Sequence, residues 1–223
     1  MFSATTLHVR LSLIASLLTA LVFAAAAVAA DPNDAKTRID GVDQARAEAQ
    51  LLQVGDLGAA WTGGKKKATN FKLPACPNFH PKQSDLTVTG HIESVFTNGN
   101  GGIQVEADVQ IMKTAAQVTT QYARIFRTGV LPCLQYDVLK SVGTSAKIKG
   151  ATELDITGGV PVHAFRVSVT VGKTTQPIYL DFLYFAKGRT EYSVNVVAPS
   201  TQAAQLKSFE ESIVTRLLAR NRV

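Results

Sequence analysis

The alternation of apolar and polar residues between residues 86 and 111 constrains the fold of this chain more than any other feature. One side of the first segment is predicted to carry Leu86, Val88, Gly90, Ile92, Ser94 and Phe96. From Ile103 to Ile111 every second residue is apolar and the residues between are polar. A period of two residues is typical of a half-buried strand. The segment Asn98-Gly99-Asn100-Gly101-Gly102 lies between the two and favours a turn, so together they predict an antiparallel hairpin.

A second group of strands is predicted in the last third of the chain. Residues 145–156 indicate one strand, and the alternation over 165–171 and 192–198 indicates two more. Between these, residues 178–186 are apolar on both sides, which is typical of a central strand in a sheet covered on both faces. Gly-containing turns separate the four strands. They therefore predict an antiparallel meander.

Helical periodicity appears in the segments outside these strands. The predicted helices cover residues 34–53, a segment from Thr114 to Gly129, residues 133–142, and residues 201–220 with Ser200 as a cap. Residues 62–83 are rich in glycine, lysine and proline and predict an irregular connection. Neighbouring antiparallel strands with segregated helices define a single α+β domain with about six strands.

The first 30 residues have the composition of a secretory signal. Arg10 is followed by an apolar run over Leu11–Val28 and by the small residues Ala29-Ala30. An uncleaved membrane anchor is the alternative, because the apolar run approaches the length of a membrane-spanning helix. The predicted mature domain is Asp31–Val223. It has no cysteine near the cleavage point, so we expect no lipid anchor and a secreted or extracytoplasmic location.

The charge of residues 31–223 is mildly basic. They hold all 17 acidic residues and 22 of the 23 lysines and arginines, a net charge of +5. This favours peripheral contact with an anionic envelope surface. It is far below the clustered charge of a nucleic-acid-binding protein, so no nucleic-acid partner is expected. Lys65-Lys66-Lys67, with Lys72 nearby, is interpreted as a solvated loop. We expect a monomer.

The chain has two cysteines, Cys76 and Cys133, and an even number in an exported protein indicates a disulfide. Closing this loop stabilises the fold by about 4 kcal/mol in the chain-entropy model. A metal pair or a reactive thiol is the alternative, and His80 follows Cys76 closely. Neither cysteine has a C-x-x-C partner or a second histidine nearby, so no metal site and no cofactor are predicted.

Four ionisable residues share the predicted polar face of the hairpin: His91, Glu93, Glu106 and Asp108. A histidine among carboxylates is able to bind a metal or to act in acid–base catalysis. The alternative is the solvent-exposed face of an antiparallel sheet. The motifs of serine hydrolases, zinc peptidases and nucleotide-binding loops are absent from the sequence, and His163 has no nucleophile nearby in sequence.

Asp181 lies inside the most apolar predicted strand. A buried acid is usually paired or functionally perturbed, and Arg166 on the preceding strand is the expected partner. Aromatic residues are concentrated in the same region and are candidates either for lining a ligand cavity or for filling the core: Tyr179, Phe182, Tyr184, Phe185 and Tyr192.

The order of these features resembles the extracytoplasmic sensor-like domains of actinobacteria. The matching features are Asp56-Leu57-Gly58 with Trp61, the Cys76-Pro77 step, the hairpin, the helix leading to Cys133, and the final meander and helix. Such domains include the external domain of PknH-type transmembrane kinases and exported lipoproteins with a Mog1/PsbP-like sandwich. The chain departs from both groups, since the kinase domain has two disulfides and the lipoproteins have a lipobox cysteine. The resemblance implies sensing of a ligand or partner outside the cell.

Three hypotheses about function follow. The first is a non-enzymatic binding or sensor-like domain for a small apolar or envelope-derived molecule or a protein partner. The second is a cell-envelope hydrolase that uses His91 with nearby carboxylates. The third is an accessory structural protein.

Overall fold

The computed structural model describes residues 33–66, 76–100, 102–127 and 129–221, and the predicted signal segment lies outside them. The strands are β1 (Lys36–Thr37), β2 (Trp61–Lys66), β3 (Thr87–Asn98), β4 (Ile103–Met112), β5 (Ala146–Leu154), β6 (Val162–Val171), β7 (Ile178–Lys187) and β8 (Thr190–Pro199). The helices are α1 (Gly41–Gln50), α2 (Val54–Leu57), α3 (Ala115–Ile125), α4 (Val130–Val142) and α5 (Ala203–Arg220), with a 3-10 turn at Ser200–Gln202.

All of these strands belong to one open sheet. The order is β1-β3-β4-β8-β7-β6-β5, and β2 also pairs with β3. Every pairing is antiparallel except that of β1 with β3. The predicted hairpin (β3-β4) and the predicted meander (β5 to β8) are therefore confirmed. Pairing of β4 with β8 joins them into a single α+β domain.

Two short strands at the edge of the sheet differ from the sequence-based prediction. Residues 61–66 form β2 instead of an irregular connection, and β1 replaces the start of the helix predicted over 34–53. Neither segment alternates in polarity. Each instead pairs with the outer edge of β3, whose backbone groups require partners.

Helix α1 begins after Asp40, whose side chain accepts hydrogen bonds from the backbone N–H groups of Val42 and Asp43.

The register of β3 also differs from the prediction. The pairing with β4 shifts between Val88 and Gly90, so β3 contains a bulge at Thr89. One extra residue in a strand moves the side chains beyond it to the opposite face of the sheet from the one that strict alternation predicts. Leu86 and Val88 therefore pack with Met112 and Val118, whereas Ile92 and Phe96 lie in the main core on the other side of the sheet.

The helix boundaries follow local chemistry. Thr114 caps α3 as predicted, accepting a hydrogen bond of 3.2 Å from the backbone N–H of Gln117. Helix α4 begins three residues before Cys133, with Pro132 in its first turn, where a missing N–H costs nothing. Ser200 is not a side-chain cap, since residues 200–202 form the 3-10 turn. None of the helices in the described residues is both long enough and apolar enough to cross a membrane.

Helices α1 and α5 cover one side of the sheet, which we call the α1/α5 face. The core here combines helix side chains with the inward side chains of β3, β4, β7 and β8. Trp61 of β2 stacks on Phe209 of α5, with ring centroids 5.4 Å apart. Helix α1 lies so close to β3 that a Cβ on Gly90 would come within 2.4 Å of the backbone oxygen of Asp43.

Helices α3 and α4 cover the other side, the α3/α4 face. Leu134 and Val138 of α4 pack on Phe165, Val167 and Leu180 of the meander, while Val118 of α3 packs on Met112. Strand β7 lies between β6 and β8 and contributes buried side chains to both faces. The prediction of a central strand covered on both sides is confirmed.

Candidate functional site

The polar side chains of the hairpin form a partly enclosed cluster on the α3/α4 face. His91 is only 7% exposed, and Glu93, Glu106 and Asp108 are half-buried. The alternative interpretation, an open solvent-exposed face, is therefore wrong for His91. The sequence could not reveal this, because alternation shows which residues share a face but not what covers that face.

The pairing register of β3 and β4 brings the ionisable groups together. Glu93 lies directly opposite Asp108, and His91 lies two residues before Glu93 on the same side. The Nε2–H of His91 donates a hydrogen bond to Oδ2 of Asp108, and Nε2 lies 3.8 Å from Oε1 of Glu93. Glu106 is the fourth member, and it interacts with Asn195 of β8 and with Lys66 of β2. All four predicted residues thus belong to one cluster.

Gln44 of α1 holds the backbone of His91. Its Oε1 accepts from the His91 N–H and its Nε2 donates to the His91 carbonyl oxygen, each at 3.0 Å. Neither edge strand pairs with this residue of β3, since β1 pairs with 87–88 and β2 with 93–98. The primary amide of Gln44 therefore supplies the donor and acceptor that a neighbouring strand would supply.

Burial and mutual repulsion shift the ionisation of this cluster. Burial lowers the pKa of His91, but the hydrogen bond and charge of Asp108 and the charge of Glu93 outweigh it, so the net pKa is raised. Burial, followed by repulsion from Glu93, raises the pKa of Glu106. Burial and the nearby Asp108 raise the pKa of Glu191 on β8 to about 8. The cluster is an anionic site that favours bound protons or other cations.

Two further buried side chains border the cluster and were not singled out from the sequence. Gln110 lies opposite His91 on β3 and opposite Glu191 on β8, and its Nε2 donates to Oδ1 of Asp108 at 3.2 Å. Gln110 is 3% exposed and Glu191 is 6% exposed. One oxygen of each, Oε1, has no hydrogen-bond partner among the described residues. Their only sequence signal is their place on the polar side of the strands.

An aromatic cluster lies beside these residues on the α3/α4 face. Phe126 stacks on His163, with ring centroids 4.0 Å apart, and lies 5.3 Å from the ring of Tyr184. Tyr122 lies 5.8 Å from His163, and the charge of Glu191 contributes to the raised pKa of Tyr122, after burial. Burial also lowers the pKa of His163. The aromatic cluster thus extends from Glu191 to His163.

A cavity of about 390 Å³ opens at the far end of this aromatic cluster. It lies between the α3–α4 junction and the ends of β5 and β6. Its walls combine apolar and polar side chains: Phe126, Val130, Leu131, Leu154 and Phe165 with Arg127, Glu153 and His163. This volume is within the range of small-molecule sites. The cavity could not be predicted from the sequence, because its walls come from segments far apart in the chain.

The five aromatic residues proposed from the sequence do not line this cavity. Tyr179, Phe185 and Tyr192 belong to the α1/α5 face, where Phe185 and Tyr192 are buried and stacked with centroids 4.9 Å apart. Phe182 and Tyr184 belong to the α3/α4 face. The structure therefore places the five on opposite sides of the sheet, where they cannot share one ligand.

The predicted disulfide is present between Cys76 and Cys133, with Cα atoms 5.5 Å apart. It connects the segment before β3 to the first turn of α4. Phe79 and Val130 pack around it, and Val130 also lines the cavity. The disulfide therefore supports one wall of the cavity. Such a bond is characteristic of proteins that mature outside the reducing cytosol.

The predicted ion pair of Asp181 and Arg166 is also confirmed, on the α1/α5 face. Arg166 donates through Nε at 2.7 Å and through Nη2 at 2.5 Å to the two carboxylate oxygens. The Arg166 guanidinium also lies 4.3 Å from the centre of the Tyr179 ring. Asp181 is therefore a paired core acid, and Tyr179 is part of the same arrangement.

No protein-family model matches the sequence, and no curated protein matches it. Among solved structures, the extracellular domain of PknH from Mycobacterium tuberculosis is similar, with a TM-score of 0.43 and 13% sequence identity. The match covers 79% of this chain and 96% of that chain.

Proposed function

We propose that this chain is a non-enzymatic, exported, sensor-like domain that binds a small molecule in the cavity at the α3–α4 junction. The observation that carries the proposal is the cavity itself, about 390 Å³ in volume, with Phe126 and Phe165 in its walls and Arg127, Glu153 and His163 among its polar residues. Sites for small molecules are concave and carry polar groups that orient the ligand. Export is supported by the disulfide and by the signal-like composition of residues 1–30.

The lining indicates the chemistry of the ligand. The stacked rings of Phe126 and His163 favour a flat or apolar body. The side chains of Arg127 and Glu153 offer one cationic and one anionic group for polar substituents. We therefore expect a small, partly apolar molecule with at least one polar or charged group.

The hydrolase hypothesis gains the convergence of His91 with Asp108 and Glu93, but nothing further. His91, Glu93 and Asp108 do not line the cavity at the α3–α4 junction, so a substrate bound there would not contact them. A hydrolase is therefore not proposed.

Native mass spectrometry of protein purified from its native host tests the proposal. A cavity-filling variant, Leu131→Trp, is compared with Leu139→Trp on the same helix, where the side chain is exposed. We expect a bound small molecule in the wild type and in Leu139→Trp, and its loss in Leu131→Trp. Circular dichroism establishes that both variants are folded. A clean unliganded mass across several preparations, or equal occupancy in the two variants, would count against the proposal.

A further inference from the structure

One group of three side chains has the geometry of a metal site. His91, Glu93 and Asp108 each offer one ligand atom, and these atoms all lie within 4.8 Å of one another. Metal–ligand bonds of about 2.0–2.2 Å place ligand atoms of one ion about 3–4 Å apart. Only small side-chain movements separate the present arrangement from that spacing. Two paired strands carry all three residues, so the backbone hydrogen bonds of the sheet fix the spacing of their Cα atoms.

We propose that His91, Glu93 and Asp108 bind a divalent transition-metal ion, with Zn²⁺ as the best match. One imidazole nitrogen and two carboxylate oxygens form a mixed ligand set. Imidazole favours zinc and its neighbours over Mg²⁺ and Ca²⁺, which prefer oxygen ligands alone. The site is separate from the cavity at the α3–α4 junction, and the proposal does not depend on the ligand of that cavity.

Buried oxygen atoms beside the three ligands provide an independent reason to expect a cation. Gln110 and Glu191 are each more than nine-tenths buried, and Oε1 of each has no hydrogen-bond partner among the described residues. Gln110 lies between His91 and Glu191 in the sheet register and its Nε2 contacts Asp108, so its side chain borders the three proposed ligands. Buried polar atoms are rarely left unsatisfied. An ion with its bound water would satisfy them.

The surroundings also provide the support that a metal site needs. Ligating side chains are usually held by hydrogen bonds from a second layer of residues. Here Gln110 orients Asp108 by a hydrogen bond to Oδ1. Gln44 holds the backbone of His91 by hydrogen bonds to both its N–H and its carbonyl oxygen. Oδ2 of Asp108 is the oxygen that faces His91 and is available to the ion.

The local charge favours a cation as well. Glu93, Glu106 and Asp108 lie on neighbouring positions of two strands, and all three are half-buried. Lys66 lies opposite Glu93 and compensates only part of this charge. Burying several carboxylates is costly unless cations neutralise them. A divalent ion bound to His91, Glu93 and Asp108 would reduce this cost.

Isothermal titration calorimetry of the full, oxidised chain tests the proposal. The protein is first treated with a chelator and dialysed, and then titrated with Zn²⁺, Mn²⁺, Mg²⁺ or Ca²⁺. We expect one Zn²⁺ per chain and weaker binding of Mg²⁺ and Ca²⁺. His91→Gln and Asp108→Asn should weaken Zn²⁺ binding by at least about tenfold. The matched controls are His80→Gln and Asp155→Asn, because both side chains are exposed; these should bind as the wild type does.

A second readout keeps the test decisive if a variant of the buried His91 does not fold. The absorption spectrum of Co²⁺-loaded wild type reports the coordination geometry directly, and Glu93→Gln, at a less buried residue, should alter it. Absence of stoichiometric Zn²⁺ uptake by the wild type would overturn the proposal. So would tighter binding of Ca²⁺ or Mg²⁺ than of Zn²⁺, or folded His91 and Asp108 variants that bind as the controls do.

Discussion

The carboxyl group of Glu210 on α5 lies against the carboxylate of Asp181 on β7, in a site that excludes solvent. Arg166 forms its ion pair with Asp181, and its charge lowers the pKa of Glu210 by less than burial and Asp181 raise it. Burial, followed by the neighbouring Asp181 carboxylate, raises the pKa of Glu210 to about 9. Glu210 therefore keeps its proton at neutral pH.

This pairing predicts that Glu210 makes the fold less stable as the pH rises. The folded state keeps the Glu210 proton up to about pH 9, whereas the unfolded chain releases it near the ordinary value of 4.5. Between these values the folded state binds more protons, so stability falls with pH, by at most about 1.4 kcal/mol per unit. Glu210→Gln is neutral at every pH and should flatten this part of the slope.

Denaturant unfolding between about pH 5 and pH 9 measures the effect, with the exposed Glu153→Gln as a control. The control should keep the wild-type slope. An unchanged slope in Glu210→Gln would show that Glu210 is ionised in the folded protein.

Loss of the Asp181 charge should be strongly destabilising. Asp181→Asn leaves the Arg166 guanidinium without its partner in a largely buried position, and breaking such a pair costs about 3–5 kcal/mol. Asp155→Asn breaks an exposed pair with Lys207 and should change stability by less than about 1 kcal/mol. Chemical denaturation compares the two. Equal effects would mean that the buried pair contributes no more than an exposed one.

Removal of the disulfide should lower the free energy of unfolding by about 4 kcal/mol, because the Cys76–Cys133 bond restricts a loop of 57 residues in the unfolded chain. The Cys76→Ser/Cys133→Ser variant and the reduced wild type should have similar unfolding midpoints, both below that of the oxidised protein. A double variant as stable as the oxidised wild type would contradict this expectation.

Gly90→Ala should destabilise the packing of α1 on β3. The new methyl group would come within 2.4 Å of the Asp43 backbone oxygen, so α1 must move, at a cost of about 1–3 kcal/mol. Gly150→Ala in β5 is the matched control, because a Cβ there meets nothing within 4 Å. In thermal unfolding, Gly90→Ala should have a lower midpoint temperature than Gly150→Ala, which should match the wild type. If both match the wild type, α1 is not held tightly against the strand.

Some features of the candidate site were predictable from the sequence, and others were not. Strand alternation placed His91, Glu93, Glu106 and Asp108 on one face, and the structure keeps them together. It did not reveal that this face is enclosed. It also did not identify Gln44, Gln110 and Glu191 as neighbours, since α1 and β8 reach the site only through tertiary packing.

The sequence by itself determined the hairpin, the meander, the α+β class, the cysteine pair and the partner of Asp181. These features depend on local periodicity or on a very small number of possible pairings. Only the tertiary structure decided the edge strands β1 and β2, the bulge at Thr89, the burial of His91 and the cavity. Each of these depends on which elements pack over a strand or pair with its edge. A residue pattern within one strand does not say which distant segments pair with its edge or pack over its face.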